Sequence, residues 1–154
     1  MTATFIFTMG LPGAGKSTVT NRMFPEAQVI DPDAIKEAHP DYDPKNAAAL
    51  HAYSKEIAEE KFAAALAQGE GENLLDGTGT NVEVLVGNIR RAQAAGFVTK
   101  LVFVTVSLET ALIRNAARER NVPENIVREK AATIYTAFEI AAKEANEVEV
   151  VWND

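Results

Sequence analysis

Five short apolar runs punctuate the chain, at residues 3–9, 28–31, 72–76, 99–106 and 147–152, each rich in Val, Ile, Leu or Phe. Runs of that length and composition predict buried strands. The intervening segments 16–23, 34–37, 44–67, 82–95, 108–118 and 123–145 mix apolar and polar positions at helical spacing. Gly69 and Gly96 follow two of them, where C-terminal caps would stand. Strand and helix alternate, which predicts an α/β fold with a five-stranded parallel sheet covered by helices on both faces. Ligands of such sheets bind beyond the carboxyl ends of the strands, where Gly10, Asp31, Asp76 and Ser107 fall.

Two of the helical segments are long enough to show which face each buries. Segment 44–67 is Ala-rich, with Ala47, Leu50, Ile57, Phe62 and Leu66 as apolar contacts, while Tyr53, Lys55, Glu56, Glu59 and Glu60 crowd its middle as a mainly solvated face. In the last helix Ile126, Ile134, Phe138 and Ile140 read as core positions. That helix and the strand after it are expected to pack, without a part in chemistry.

At 154 residues and 47% hydrophobic, with no low-complexity stretch, the chain fits one domain with a substantial core. It has no Cys, no apolar run long enough to span a bilayer and no cleavable leader pattern, so a soluble cytoplasmic protein without a membrane partner is expected. The 22 acidic against 15 basic residues give a net charge of −7. That balance opposes long-range attraction to nucleic acid, leaving a local basic groove as the way a nucleic-acid end would bind.

Gly10-Leu11-Pro12-Gly13-Ala14-Gly15-Lys16-Ser17 changes the picture most. It is the G-x-x-x-x-G-K-[ST] pattern, set between a predicted strand and a predicted helix as the motif requires. The glycines let successive N–H groups turn inward as a nest for phosphate oxygens, reinforced by the dipole of the following helix. Gly10, Pro12, Gly13, Ala14, Gly15, Lys16, Ser17 and Thr18 are therefore the expected nucleotide site. Lys16 would reach the terminal phosphates, and the Ser17 hydroxyl would hold Mg2+. No guanine-reading motif is evident, so ATP is the expected nucleotide, with GTP open.

Three further clusters carry candidate chemistry. In Asp31-Pro32-Asp33-Ala34-Ile35-Lys36, Asp33 is placed to cap the next helix, to take a proton from an attacking hydroxyl, or to do both. Lys36, one turn on, is placed to contact an anionic or hydroxylated acceptor. In Asp76-Gly77-Thr78-Gly79-Thr80, the Asp is placed to hold magnesium through water and the hydroxyls to meet a ligand. Arg114, Arg118 and Arg120, before Asn121-Val122-Pro123, would supply charge from a short lid over the transferring phosphoryl group. Arg90 and Arg91 read as surface residues. His39 and His51 lack partners at metal-ligand spacing, and His39-Pro40 reads as a helix-ending turn.

The phosphate loop, the run from Val29 to Lys36 followed by His39-Pro40-Asp41-Tyr42-Asp43, then Tyr53-Ser54 with Glu59, and Asp76-Gly77-Thr78-Gly79, together resemble the zeta-toxin family of phosphate-loop kinases over residues 3–130. The resemblance implies phosphorylation of a sugar hydroxyl, in well-known members on UDP-N-acetylglucosamine, with ATP and magnesium, and an antitoxin as a family-level partner. It implies Asp33 as general base, Lys16 as the loop lysine, Glu59 and Thr78 as substrate-side residues, and Arg114 and Arg120 as lid arginines. Asp76 stands where that family commonly has Glu, Thr80 where an Arg often follows, and the segment from Arg114 to Pro123 is much shorter.

That short segment also looks like the kinase domain of phage-type polynucleotide 5′-kinases. In this comparison Asp33 is again the base, Arg118 the lid arginine, and Lys36 replaces an acceptor-binding Arg, losing its bidentate fork. The acidic charge and the Asp-Gly-Thr-Gly turn favour a small or sugar-nucleotide acceptor over a nucleic-acid end. Residues 1–154 thus read as one phosphate-loop kinase domain with a short Arg-bearing lid. A nucleotide switch that closes on ATP without transfer would share the loop but would have no need of a base near the γ-phosphate.

Overall fold

The computed structural model describes residues 2–119 and 121–154. Five strands, β1 Thr4–Met9, β2 Gln28–Ile30, β3 Glu72–Leu75, β4 Val98–Thr105 and β5 Glu147–Trp152, form one sheet in the order β2-β3-β1-β4-β5, with every pairing parallel. The helices are α1 Lys16–Met23, α2 Pro32–Glu37, α3 His51–Gln68, α4 Val82–Ala94, α5 Leu108–Ala117 and α6 Glu124–Ala142. The sheet agrees with the apolar runs, with ends shifted by a residue, as is usual at strand ends.

Successive residues of β1 and β4 are buried, so both faces of the sheet centre are covered, as a parallel sheet requires. Phe5 stacks on Phe7 at 5.2 Å between ring centroids and meets Phe62 of α3 edge-on at 5.0 Å. Phe103 of β4 packs against Phe138 of α6 at 4.9 Å. These aromatic contacts anchor α3 and α6 to the sheet.

Segment 44–67, expected as one helix, is broken. Pro44–Leu50 is a 3-10 turn containing the non-helical residue Asn46, and the α-helix begins at His51. Asp43 caps the turn by accepting from the Lys45 amide at 2.9 Å, which fixes the start before a regular helix can form. Gly69 caps α3 at φ 65°, a left-handed conformation that Gly adopts at low cost.

Two core assignments need correction. Ile140 is exposed, because the buried stripe of α6 runs through Val127, Ile134, Ala137 and Ala141, and residue 140 falls off that 3.6-residue period. On α3 the buried positions are Ser54, Ala58, Phe62 and Ala65, with Ile57 and Leu66 only partly covered. Among the described residues no helix is long and apolar enough to cross a membrane.

Candidate functional site

The loop from Gly10 to Gly15 links β1 to α1 and wraps the helix N-terminus. Gly15 caps α1 at φ 81° and Gly13 sits at φ 90°, so both need left-handed backbone. A Cβ on Gly13 would run into the Ala111 carbonyl of α5, and one on Gly15 would lie 2.6 Å from Nδ2 of Asn153. The loop is therefore held between α5 and the chain segment after β5. Asn153 also donates to the Ala14 carbonyl at 2.9 Å. Gly10, Pro12, Gly13 and Ala14 are buried, while Ser17 and Thr18 open the first turn of α1 and are exposed.

Lys16 donates to the Gly10 carbonyl at 3.2 Å. Burial pulls its pKa below the usual lysine value, against the attraction of Asp76 and Asp33, while the charge of Arg118 adds to the lowering. The loop lysine thus stands in the field of carboxylates that follow two other strands.

Asp76 follows β3, and its backbone N–H donates to the Ile30 carbonyl at 2.9 Å. The Thr8 hydroxyl donates to its carboxylate at 3.0 Å and accepts from the Gly77 amide at 2.9 Å. Burial raises the Asp76 pKa, Lys16 opposes the rise, and Asp31 and Asp33 add to it. Thr8 escaped the sequence reading because a Thr inside a buried strand looks like any other β-branched residue.

Asp31, not Asp33, caps α2. Its Oδ1 accepts from the amides of Asp33 at 2.9 Å and Ala34 at 3.3 Å. An N-cap lies just before the helix, and Pro32 already occupies its first position, so the cap falls on residue 31. Asp33 lies in the first turn, half-buried, with its charge felt at Lys16, Asp76 and Lys130. Lys36, in the last turn of the same helix, is buried at 7% exposure.

Burial raises the pKa of Asp31 despite the capping bonds, so its ionised form costs stability that a neutral cap would not. This cost is absent at pH below the ordinary carboxylate value and grows as pH rises through the raised one. Asp31→Asn is accordingly expected to hold or raise stability at neutral pH. Asp31→Ala is expected to lose about 1 kcal/mol, read by urea denaturation.

Thr78 accepts from the Gly10 amide through its carbonyl at 3.0 Å, and its hydroxyl bonds that of Thr80 at 3.1 Å. Lys130 of α6 donates to the Thr80 hydroxyl at 3.2 Å. The placement of Lys130 was not legible in the sequence, where it falls in a helix read as packing alone.

Arg114, in the last turn of α5, lies near Gly15, and its charge is felt by Asp154. Arg118 follows α5 and, with Glu37, Tyr42, Pro44 and Glu119, lines an open cleft of about 580 Å³ between α2 and the connection to α6. Asn115 ties that connection down: its Nδ2 donates to the Val122 carbonyl at 2.7 Å, and its Oδ1 accepts from the Val122 amide at 3.0 Å. Arg120 lies outside the described residues.

Glu59 is placed elsewhere. Its carboxylate pairs with Arg91 of α4 at 2.7 Å, on the exposed flank where Arg91 also lies over the Phe62 ring. Helical periodicity turns Glu59 to that flank while Phe62, three residues on, enters the core. His39 Nδ1 accepts from the Asp41 amide at 3.0 Å, closing the turn after α2.

A family model described as AAA domain matches residues 5–140. No curated protein matches the chain by sequence. Among solved structures, one from the PezAT chromosomal toxin–antitoxin system of Streptococcus pneumoniae superposes with a TM-score of 0.70 at 19% identity, over 97% of this chain and 67% of that one. The AvrRxo1-ORF1:-ORF2 structure with ATP gives a TM-score of 0.74 at 14% identity, over 98% and 55%. The Pnkp1/Rnl/Hen1 RNA repair complex gives 0.72 at 12% identity, over 90% and 46%. The chain thus spans about half the length of the last two, and all three likenesses are of fold.

Proposed function

We propose, for a chain that belongs to the phosphate-loop, kinase-like AAA domain family, that it is an ATP-dependent phosphotransferase moving the γ-phosphoryl group to a hydroxyl of a small acceptor, with UDP-amino sugars as the leading acceptor class. In this reading residues 1–154 work as one kinase domain. The observation that carries it is Asp33: a carboxylate spared from capping by Asp31 and held in the field of the loop lysine Lys16. A protein that only bound nucleotide would have no use for it.

The donor set fits magnesium. Ser17, Asp31 and Asp76 offer hard oxygens, and burial, with the charge of Asp33 adding to it, raises the pKa of both carboxylates, a cost that a divalent cation would relieve. Magnesium takes only one or two protein ligands, so Ser17 with one of the two carboxylates would leave the rest of its shell to phosphates and water. Bound there with ATP, magnesium would neutralise charge on the β- and γ-phosphates.

The protein's own groups then divide the work. The loop amides and Lys16 hold the β- and γ-phosphates, and Asp33 orients the acceptor hydroxyl and accepts its proton. The acceptor oxygen bonds to the γ-phosphorus as the bond to the bridging oxygen of ADP breaks. Arg114, Arg118 and Arg120 are assigned to the charge that develops, and Lys36, Asp76 and Thr78 to the acceptor side. Glu59, engaged by Arg91, would have to leave that pair to meet a substrate.

A second reading, a polynucleotide or nucleoside 5′-hydroxyl kinase, is favoured by the short connection between α5 and α6 and by the fold likeness to the RNA repair complex. An antitoxin-like protein partner is suggested by the PezAT likeness alone. The test is magnesium-dependent transfer from γ-labelled ATP to UDP-sugars and to 5′-hydroxyl oligonucleotides. Label on a UDP-sugar supports the first reading, and label on an oligonucleotide replaces it with the second. ATP binding with no labelled acceptor points to a nucleotide switch.

A further inference from the structure

Lys130 has no part in the chemistry assigned above, yet it is turned into the site. Arg128, two residues earlier on α6, pairs with Glu124 one turn back at 3.2 Å, as cations on solvated helix faces do. Lys130 is half-buried and gives its hydrogen bond to a neutral hydroxyl, that of Thr80. Among the described residues no carboxylate lies within ion-pair distance of it. An ammonium carries three donors, so two remain for a ligand.

Its position relative to Asp33 gives the direction. Lys16 feels Asp76, Asp33, Arg118 and Asp31, whereas Lys130 feels Asp33 alone. The Asp33 charge therefore reaches both lysines, one on the phosphate loop and one on α6. A relay of contacts fixes the second: Gly10 to the Thr78 carbonyl, the Thr78 hydroxyl to that of Thr80, and Thr80 to Lys130. Burial lowers the Lys130 pKa even with the Asp33 charge opposing it, so a further anion would ease keeping a cation there. The relay places Lys130 at the Thr78–Thr80 loop, the side given above to the acceptor, so that anion is assigned to the acceptor.

We propose that Lys130 is a specificity-determining residue of the acceptor site, and that the acceptor carries a phosphate or diphosphate beside the hydroxyl to be phosphorylated. The inference rests on the phosphotransferase reading for its choice of site, and binding tests it without any transfer step. Three matched pairs serve as probes, each titrated calorimetrically into protein saturated with a non-hydrolysable ATP analogue and magnesium: ribose with ribose 5-phosphate, adenosine with adenosine 3′-monophosphate, and N-acetylglucosamine with N-acetylglucosamine 1-phosphate. The anionic member of at least one pair is expected to bind at least about tenfold more tightly than its neutral partner.

Lys130→Gln should erase that preference, a loss of about 10- to 100-fold, while Lys130→Arg restores most of it. Affinity for the ATP analogue should stay the same in both variants, which also shows that they are folded. A wild type with no preference in any pair, or a preference that survives in Lys130→Gln, overturns the inference. The two readings fail separately. A Lys130-dependent preference in a protein that never transfers label removes the kinase reading, and label transfer with a preference indifferent to Lys130 removes only this one.

Discussion

Asp33→Asn is expected to lower phosphoryl transfer by roughly 10²- to 10⁴-fold, the usual contribution of a positioned general base, while leaving ATP affinity nearly unchanged. The substitution keeps the shape of the side chain and removes its charge. It should not disturb α2, because the capping bonds belong to Asp31. One side effect has a definite sign. The Asp33 charge raises the pKa of Lys16, so its removal lets burial lower that pKa further. On the alkaline side, ATP binding should then fade at a lower pH in the variant than in the wild type. Rapid-quench transfer with a labelled acceptor, beside equilibrium ATP binding across pH, measures both effects. Transfer near the wild-type rate would remove Asp33 from the role of base, whatever acceptor is used.

What the sequence made legible follows from locality. The phosphate loop, the strand ends and the order of elements rest on short stretches whose periodicity and glycines act within a few residues. Even the cap of α2 is local, and it was misplaced only between Asp31 and Asp33, two residues that both suit the position. Contacts across the sheet were not legible. Thr8 meets Asp76 across 68 positions of chain, and Asn153 meets Ala14 across 139. Thr8 is a β-branched residue inside an apolar strand and Asn153 a polar residue just past one, so no local pattern marks either as a long-range partner. Glu59 shows the converse, since motif order suggested a substrate contact while the partner that engages it, Arg91, is fixed by how α3 and α4 pack. Lys130 combines both difficulties: a charged residue on an amphipathic helix is most simply solvated, and only the approach of α6 to the Thr78–Thr80 loop turns it inward.

Lys16→Met is expected to separate the stability of the free protein from its response to nucleotide. In the wild type, burial outweighs the attraction of Asp76 and Asp33 and leaves the Lys16 pKa below its unfolded value. Between those two values the unfolded chain holds a proton that the folded chain lacks, so wild-type stability rises with pH through that window. Below that window the charged ammonium carries its full cost, and a neutral side chain of similar length should leave the free protein as stable or more stable there. Nucleotide binding responds in the opposite sense. Losing the charge-assisted bonds of the ammonium to phosphate should weaken ATP about 10- to 100-fold and lower transfer with it. With ATP at 100 times the wild-type dissociation constant, the wild type gains about 2.7 kcal/mol of stability, whereas a variant binding 100-fold more weakly gains only about 0.4 kcal/mol. Thermal denaturation with and without ATP and magnesium reads the pair of effects. A variant that is destabilised when free but still stabilised by ATP would mean that Lys16 serves the fold of the loop rather than the phosphates.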